Sequence, residues 1–257
     1  MDHKSEKCMT ITFSDVVENG IGMQKLGKLT KSKFTYEYLL DKYHQLNDHN
    51  YNVEFIELSI EESKEKACVI VLRNYVQNPN DIMSELSELD WDKKAIFRGV
   101  VKNKLARHNL CFADMEQEPD YASGKGRIIK FETLPCLNVI RSNICEEFEM
   151  NLASLLAEGN LYYDVKKCGI GYHGDTERST VIGLRLGESM KLCFQWFHMG
   201  KPIGEKTTLT LNGGDLYIMS SKAVGNDWKK RSQYTLRHAA GCDKYTIWKD
   251  KTKKINK

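Results

Sequence analysis

Little in this chain of 257 residues suggests a linker, a membrane span or a cross-linked scaffold. Proline occurs only four times, too seldom for a Pro-rich spacer. The eight cysteines are scattered at Cys8, Cys68, Cys111, Cys136, Cys145, Cys168, Cys193 and Cys242, and none forms a Cys-x-x-Cys pair. That removes the usual structural zinc spacings and leaves free thiols, as in a reducing compartment. The longest aliphatic run, Ala67–Leu72, is far too short to cross a bilayer. Residues 1–15 (MDHKSEKCMTITFSD) are polar and lack the apolar stretch of a signal peptide. No repeat or low-complexity segment is visible. These absences lead us to expect a soluble protein of the cytoplasm or nucleus with no membrane partner.

A strong overall charge is missing too, the net being +3. The distribution is uneven. Lys222–Lys257 holds 11 Lys/Arg against 3 Asp/Glu, a net of +8, so the remainder carries −5. A basic end can attract phosphates, although the final lysines, 249–257, read most simply as a solvated tail.

The chain does have core-forming material. Apolar residues make up 41% and aromatics 10%, enough for a large folded domain. Tyr36–Leu46 reads as a helix. Ala67–Leu72 reads as a buried strand by length and β-branching. Ile82, Met83, Leu86 and Leu89 share a face of a helix capped by Asn80 or Asp81. Leu137, Ile140, Ile144, Phe148, Leu152 and Leu155 recur at helical steps, with Gly159 as the stop. Beyond Gly159 short β-rich stretches alternate with turn residues. They are Asn160–Asp164, Ile170–Asp175, Thr180–Leu186, Lys191–Phe197, Lys206–Leu211, Asp215–Met219, Gln233–His238 and Lys244–Trp248. Eight such strands predict a sandwich or jelly roll. Helices precede strands, so the expected class is α+β, with helices packed on one side of a β-core.

His173-Gly174-Asp175 stands at a strand end. Residues i and i+2 of a strand face the same way, so both side chains can reach one ion. Gly174 lets the backbone bend between them. His238, 65 residues on, ends another expected strand. Two imidazoles and a carboxylate on one face of Fe(II) leave room for a bidentate cosubstrate and O2. On spacing alone a bland alternative stands beside this one, in which His173 and Asp175 brace a turn and His238 is structural.

The order of motifs resembles the AlkB family of Fe(II)- and 2-oxoglutarate-dependent dioxygenases. GNLYYDVKKCGIGYHGDTE (Gly159–Glu177) is similar to that family's Asn-x-Tyr, loop and His-x-Asp arrangement. GDLYIM (Gly214–Met219) resembles the stretch before its last metal histidine. RGVVKNKLARHNLCFAD (Arg98–Asp114) resembles its nucleotide-holding segment. The resemblance, over about Lys94–Trp248, implies a double-stranded β-helix (jelly-roll) core at about 159–249 within a dioxygenase domain at 66–257. Residues 1–65 become an N-terminal extension, packed on the core or free. It implies Fe(II) on His173, Asp175 and His238, with O2 and 2-oxoglutarate as cosubstrates. Asn160 and Tyr162 match the pair that hydrogen-bonds 2-oxoglutarate. The family's arginine after the last histidine is missing, and Lys244 is assigned its carboxylate-clamping role, with Lys249 and Arg237 as rivals.

The implied chemistry couples oxidative decarboxylation of 2-oxoglutarate to hydroxylation of a C–H bond. On an N-methyl group the product breaks down to formaldehyde and the free base. The implied partner is nucleic acid, DNA or RNA, held by Lys102, Lys104, Arg107 and His108, with Glu177 near the base. Two alternatives stay open. The same chemistry could act on an unmodified base or a protein side chain. The chain could also be a β-rich binding module without catalysis.

Overall fold

The alternation in CMTITFS builds a strand, β1 (Cys8–Ser14), with Met9, Ile11 and Phe13 on one face and Cys8, Thr10 and Thr12 on the other. A small hairpin follows, β2 (Val16–Glu18) with β3 (Lys25–Gly27). Helix α1 (Tyr36–Asp48) starts where the Thr35 hydroxyl accepts from the Tyr38 N–H. Next come β4 (Val53–Glu57), β5 (Cys68–Leu72) and α2 (Pro79–Ser87), whose proline stands in the first turn. A second hairpin joins β6 (Lys94–Phe97) to β7 (Val100–Asn103). It leads to β8 (His108–Ala113), β9 (Ile128–Lys130) and helix α3 (Pro135–Glu147). The strands that follow are β10 (Leu156–Tyr162), β11 (Gly169–His173), β12 (Ile182–Gly187), β13 (Met190–His198), β14 (Lys201–Leu211), β15 (Leu216–Met219) and β16 (Thr235–Gly241). Two helical turns, α4 (Ser221–Val224) and α5 (Asp243–Thr246), flank β16. This computed structural model describes residues 6–20 and 22–249, so the lysine tail expected beyond Lys249 lies outside the described residues.

The protein is mixed α/β, mostly strands with few helices. An eight-stranded sheet runs β4-β5-β15-β12-β1-β10-β8-β9, and a four-stranded sheet runs β11-β16-β13-β14. Successive strands from β10 to β13 alternate between the two sheets, as do β14, β15 and β16. One face of the large sheet supplies Ile11, Phe13, Ile70, Phe112, Ile182 and Leu184 to a core shared with Leu39, Leu86, Leu137 and Ile144 of the helices. The other face supplies Val69, Val71, Tyr162 and Tyr217 to a core shared with Phe194, Trp196 and Leu236 of the small sheet. Both faces of β5 are therefore covered, which explains its unbroken apolar run. Each such large side chain contributes roughly 1.5–3 kcal/mol on burial.

Four sequence expectations change. The boundary at residue 65 does not follow the sheet, since β1 lies in its middle, paired to β10 and β12. The helical run to Leu155 stops at Glu147, and Glu149 turns the chain with φ +48°. Leu155 still points into the helix-side core because Arg141 draws its carbonyl in at 2.8 Å. Gly159 is a mid-strand residue, where a Cβ would meet the Trp91 ring at 2.7 Å. The expected strand Lys244–Trp248 is the turn α5, pinned to β11 by Tyr245, whose ring packs on Gly169. Among the described residues no helix is long and apolar enough to cross a membrane, and all eight cysteines are free.

Candidate metal centre

His173 ends β11 and faces His238 of β16 directly across the antiparallel pair, beside an irregularity that follows Ile170. Their rings lie 4.4 Å apart, centroid to centroid. The Asp175 Oδ1 stands 3.5 Å from the Nε2 of His173 and 3.8 Å from the Nε2 of His238. The three ligand atoms all lie within 4.8 Å of one another. The Nδ1 of His173 is 2.8 Å from the Gly171 carbonyl, and that of His238 is 3.4 Å from the Ala223 carbonyl. A carbonyl can only accept, so each Nδ1 carries its proton there and each Nε2 presents a lone pair toward Asp175. Two imidazoles and a carboxylate, with no thiolate, suit a divalent first-row metal, iron among them.

Burial lowers the His173 imidazole to about 4, with the neighbouring His238 acting in the same direction and Asp175 opposing. Burial works against the Asp175 carboxylate as well, but the Arg178 guanidinium beside it acts the other way, and the carboxyl lies below its usual range. At neutral pH the pocket therefore holds a neutral His173 and an ionised Asp175, the forms a cation needs.

The loop that carries Asp175 is fixed from several sides. The Asp175 N–H donates to the Val224 carbonyl at 3.0 Å, and the Asn226 amide donates to the Asp175 carbonyl at 2.6 Å. The Arg178 Nε stands 3.8 Å from the second Asp175 carboxylate oxygen, while its Nη2 donates to Glu158 and Glu177 at 2.5 and 3.2 Å. Buried Asp15 accepts from the Ser179 and Thr180 N–H groups and from the Ser179 hydroxyl.

Asn160 and Tyr162 share the face of β10 that looks toward the small sheet. The Asn160 Oδ1 accepts from the Arg107 Nε at 2.5 Å and from the Asn109 amide at 2.8 Å, and its own amide donates to Glu158. Tyr162 is buried in the inter-sheet core. Lys244 lies elsewhere, exposed on α5 with its ammonium 5.2 Å from the Tyr245 ring centre. Lys249 is exposed, and Arg237 sits on the outward face of β16 against Phe197 and Trp228.

The four residues expected to touch nucleic acid divide. Lys102 is exposed on β7, with its ammonium over the Phe97 ring. Lys104 turns inward and donates to the Asn19 carbonyl at 2.8 Å. Arg107 is occupied with Asn160, and His108 stacks on Tyr163 at 5.0 Å. Glu177 is bonded to Arg178. Sequence reasoning passed over Arg178, Glu158, Asp15 and Arg185. Arg185 did leave a signal, a charge between Leu184 and Leu186 in a strand whose other face is apolar.

No protein-family model matches the chain. The protein is 46% identical over 249 residues to "Uncharacterized protein R156" of Acanthamoeba polyphaga mimivirus, a match that covers 93% of this chain and 98% of that protein.

Proposed function

Because this chain belongs to the family of the mimivirus protein R156, whose name states no activity, its function is read from its site, and we propose an Fe(II)- and 2-oxoglutarate-dependent dioxygenase of the AlkB kind that dealkylates nucleic-acid bases. One observation carries this reading: three ligand atoms of His173, Asp175 and His238 within 4.8 Å, with both imidazoles oriented by backbone carbonyls. The alternation of β10–β13, and again of β14–β16, between two sheets supports a double-stranded β-helix, with helices against the far face of its larger sheet. In that frame β11 and β16 are neighbours, and each contributes a histidine.

Iron(II) bound there with 2-oxoglutarate and O2 supplies hydroxylation of a nearby C–H bond, which on an N-methyl group ends in formaldehyde and the free base. The chain's own residues prepare the place. His173 and His238 bind as neutral ligands. Arg178 stands 3.8 Å from the second oxygen of Asp175 and favours its ionised form, with the first oxygen toward the two imidazoles. Tyr162 brings a buried phenol to the cosubstrate side, and Asn160 is set in position by Arg107 and Asn109. Phe194, tilted against His238 at 6.2 Å, helps to exclude water.

The β6–β7 hairpin supports a nucleic-acid substrate. Phe97 is 51% exposed and carries Arg98 and Lys102 at 5.4 and 5.6 Å from its ring centre, beside exposed Val100 and Val101. An aromatic face with cations beside it suits stacking on an unpaired base next to its phosphates.

The test is 2-oxoglutarate turnover across methylated DNA and RNA oligonucleotides, followed by mass spectrometry. The expected result is succinate and formaldehyde in step with loss of a methyl group from at least one oligonucleotide. Succinate formed only with unmodified oligonucleotides or with protein would move the substrate to another class. No turnover with any of them would remove the enzyme reading.

A further inference from the structure

Arg185 is 1% exposed and pairs with no carboxylate among the described residues. Three other enclosed arginines are compensated by carboxylates. Arg141 forks onto Asp114 at 2.7 and 2.9 Å, and Arg73 meets Asp215 and Glu54. Arg178 has Glu158, while Arg237, which also has no carboxylate among the described residues, lies over the Phe197 ring at 4.2 Å on the opposite face of the small sheet. Among the described residues Arg185 has only neutral hydrogen-bond partners. Its Nη1 donates to the Thr10 hydroxyl at 2.6 Å and lies 3.2 Å from the Cys8 sulfur, while its buried Nε has no partner. A guanidinium does not give up its proton, so this charge is present at every working pH. An enclosed ion without a counter-ion carries a large desolvation penalty. The fold retains it, with donors unspent, in the middle of its larger sheet.

The register says which space it serves. Thr10 pairs with both Arg185 and Asn160, so Asn160, Thr10 and Arg185 form one row across three adjacent strands. Met9, Ile11, Leu184 and Leu186 occupy the opposite face, toward the helices. The row thus faces the small sheet, on the side that bears Tyr162 and the metal residues. Tyr217, paired with Gly183 on the neighbouring strand, lies in the same inter-sheet core as Tyr162.

We propose that Arg185, braced by Thr10, binds the carboxylate of a small 2-oxo diacid at the end remote from the metal. The identity of that ligand rests on the proposed function above. The anion requirement rests on Arg185 alone. This puts the cation on the strand after the His-x-Asp pair, and makes the N-terminal strand β1 part of the cosubstrate pocket. A two-pronged guanidinium recognises a carboxylate with defined geometry. The pocket is thereby selective for diacids over 2-oxo monoacids of similar length, which lack the second carboxylate.

Calorimetry on the full chain loaded anaerobically with Mn(II) tests this, with 2-oxoglutarate and 2-oxobutyrate as ligands and Mn(II) affinity as a control. The wild type is expected to favour the diacid by about tenfold or more. Arg185→Gln removes that preference and leaves 2-oxobutyrate and Mn(II) affinity unchanged, while Arg185→Lys keeps part of it. Thermal denaturation without ligand gives a second reading. Arg185→Met melts at the same temperature as the wild type or higher, and 2-oxoglutarate raises the wild-type midpoint only. A purely structural arginine would lose stability on the same change. Retained diacid preference in Arg185→Gln overturns the assignment and spares the dioxygenase reading. A wild type that binds Mn(II) but no 2-oxoglutarate overturns both.

Discussion

Gly174 lies against Gly225 so closely that a Cβ on the first would stand 2.1 Å from the carbonyl oxygen of the second. Gly225 is in the left-handed region at φ +75°, closing α4, so its carbonyl has little freedom to turn. The side chain between the two β11-side ligands is therefore missing because the loop after α4 occupies its space. Gly174→Ala should force His173 and Asp175 apart from their common point. We expect a folded protein whose metal affinity falls by about tenfold or more, measured by anaerobic titration. Unchanged affinity would mean that the loop yields and does not set the site.

Asp15 ties the turn after Asp175 to the start of the chain. One carboxylate accepts from Ser179, Thr180 and Thr30, and from the Ser14 hydroxyl. Asp15→Ala leaves several buried donors without a partner, at a cost of about 2–4 kcal/mol in chemical denaturation. The variant should also bind metal more weakly than its loss of stability explains, since the Ser179–Thr180 segment carries Arg178 beside it. A loss near zero would show that water replaces the carboxylate.

Lys104 sets a pH signature. Burial lowers its ammonium to about 8, only partly offset by Asp92 and Glu158. In the unfolded chain a lysine titrates near 10.4. Between those values the folded protein holds fewer protons than the unfolded one, so this residue makes stability rise as pH rises from about 8 to about 10.4. The contribution is at most about 3 kcal/mol across that window. Lys104→Met should flatten that rise and be more stable than the wild type near pH 7, in denaturation series compared at each pH. Parallel profiles for the two proteins would contradict it.

How much could be read in advance differs from residue to residue, for physical reasons. Helix α1 and helix α2 announced themselves by local periodicity, and most strands from β10 on by length and turn residues. His173 and Asp175 were legible as a pair because strand geometry alone puts i and i+2 on one face. The place of β1 was not. Its partners are Tyr162 and Gly187, far along the chain, and no local pattern encodes a pairing across that distance. The enclosed cation was not legible either, for the same reason. Order after His238 points to Lys244, which is exposed on α5, whereas Arg185 lies on a strand whose place beside β1 is set by sheet register alone. Of the basic cluster at 102–108, composition gave the charges but not their direction. Lys104 and Arg107 are turned inward by Asn19 and Asn160.

The proposed chemistry requires one cation where the His173, Asp175 and His238 ligand atoms converge. Anaerobic Fe(II) titration of the wild type, His238→Ala and Asp175→Asn measures this. We predict saturation of a single site in the wild type and a loss of about 100-fold or more in affinity for either variant, with the fold retained. Equal Fe(II) binding by all three proteins, or none by the wild type, would contradict it.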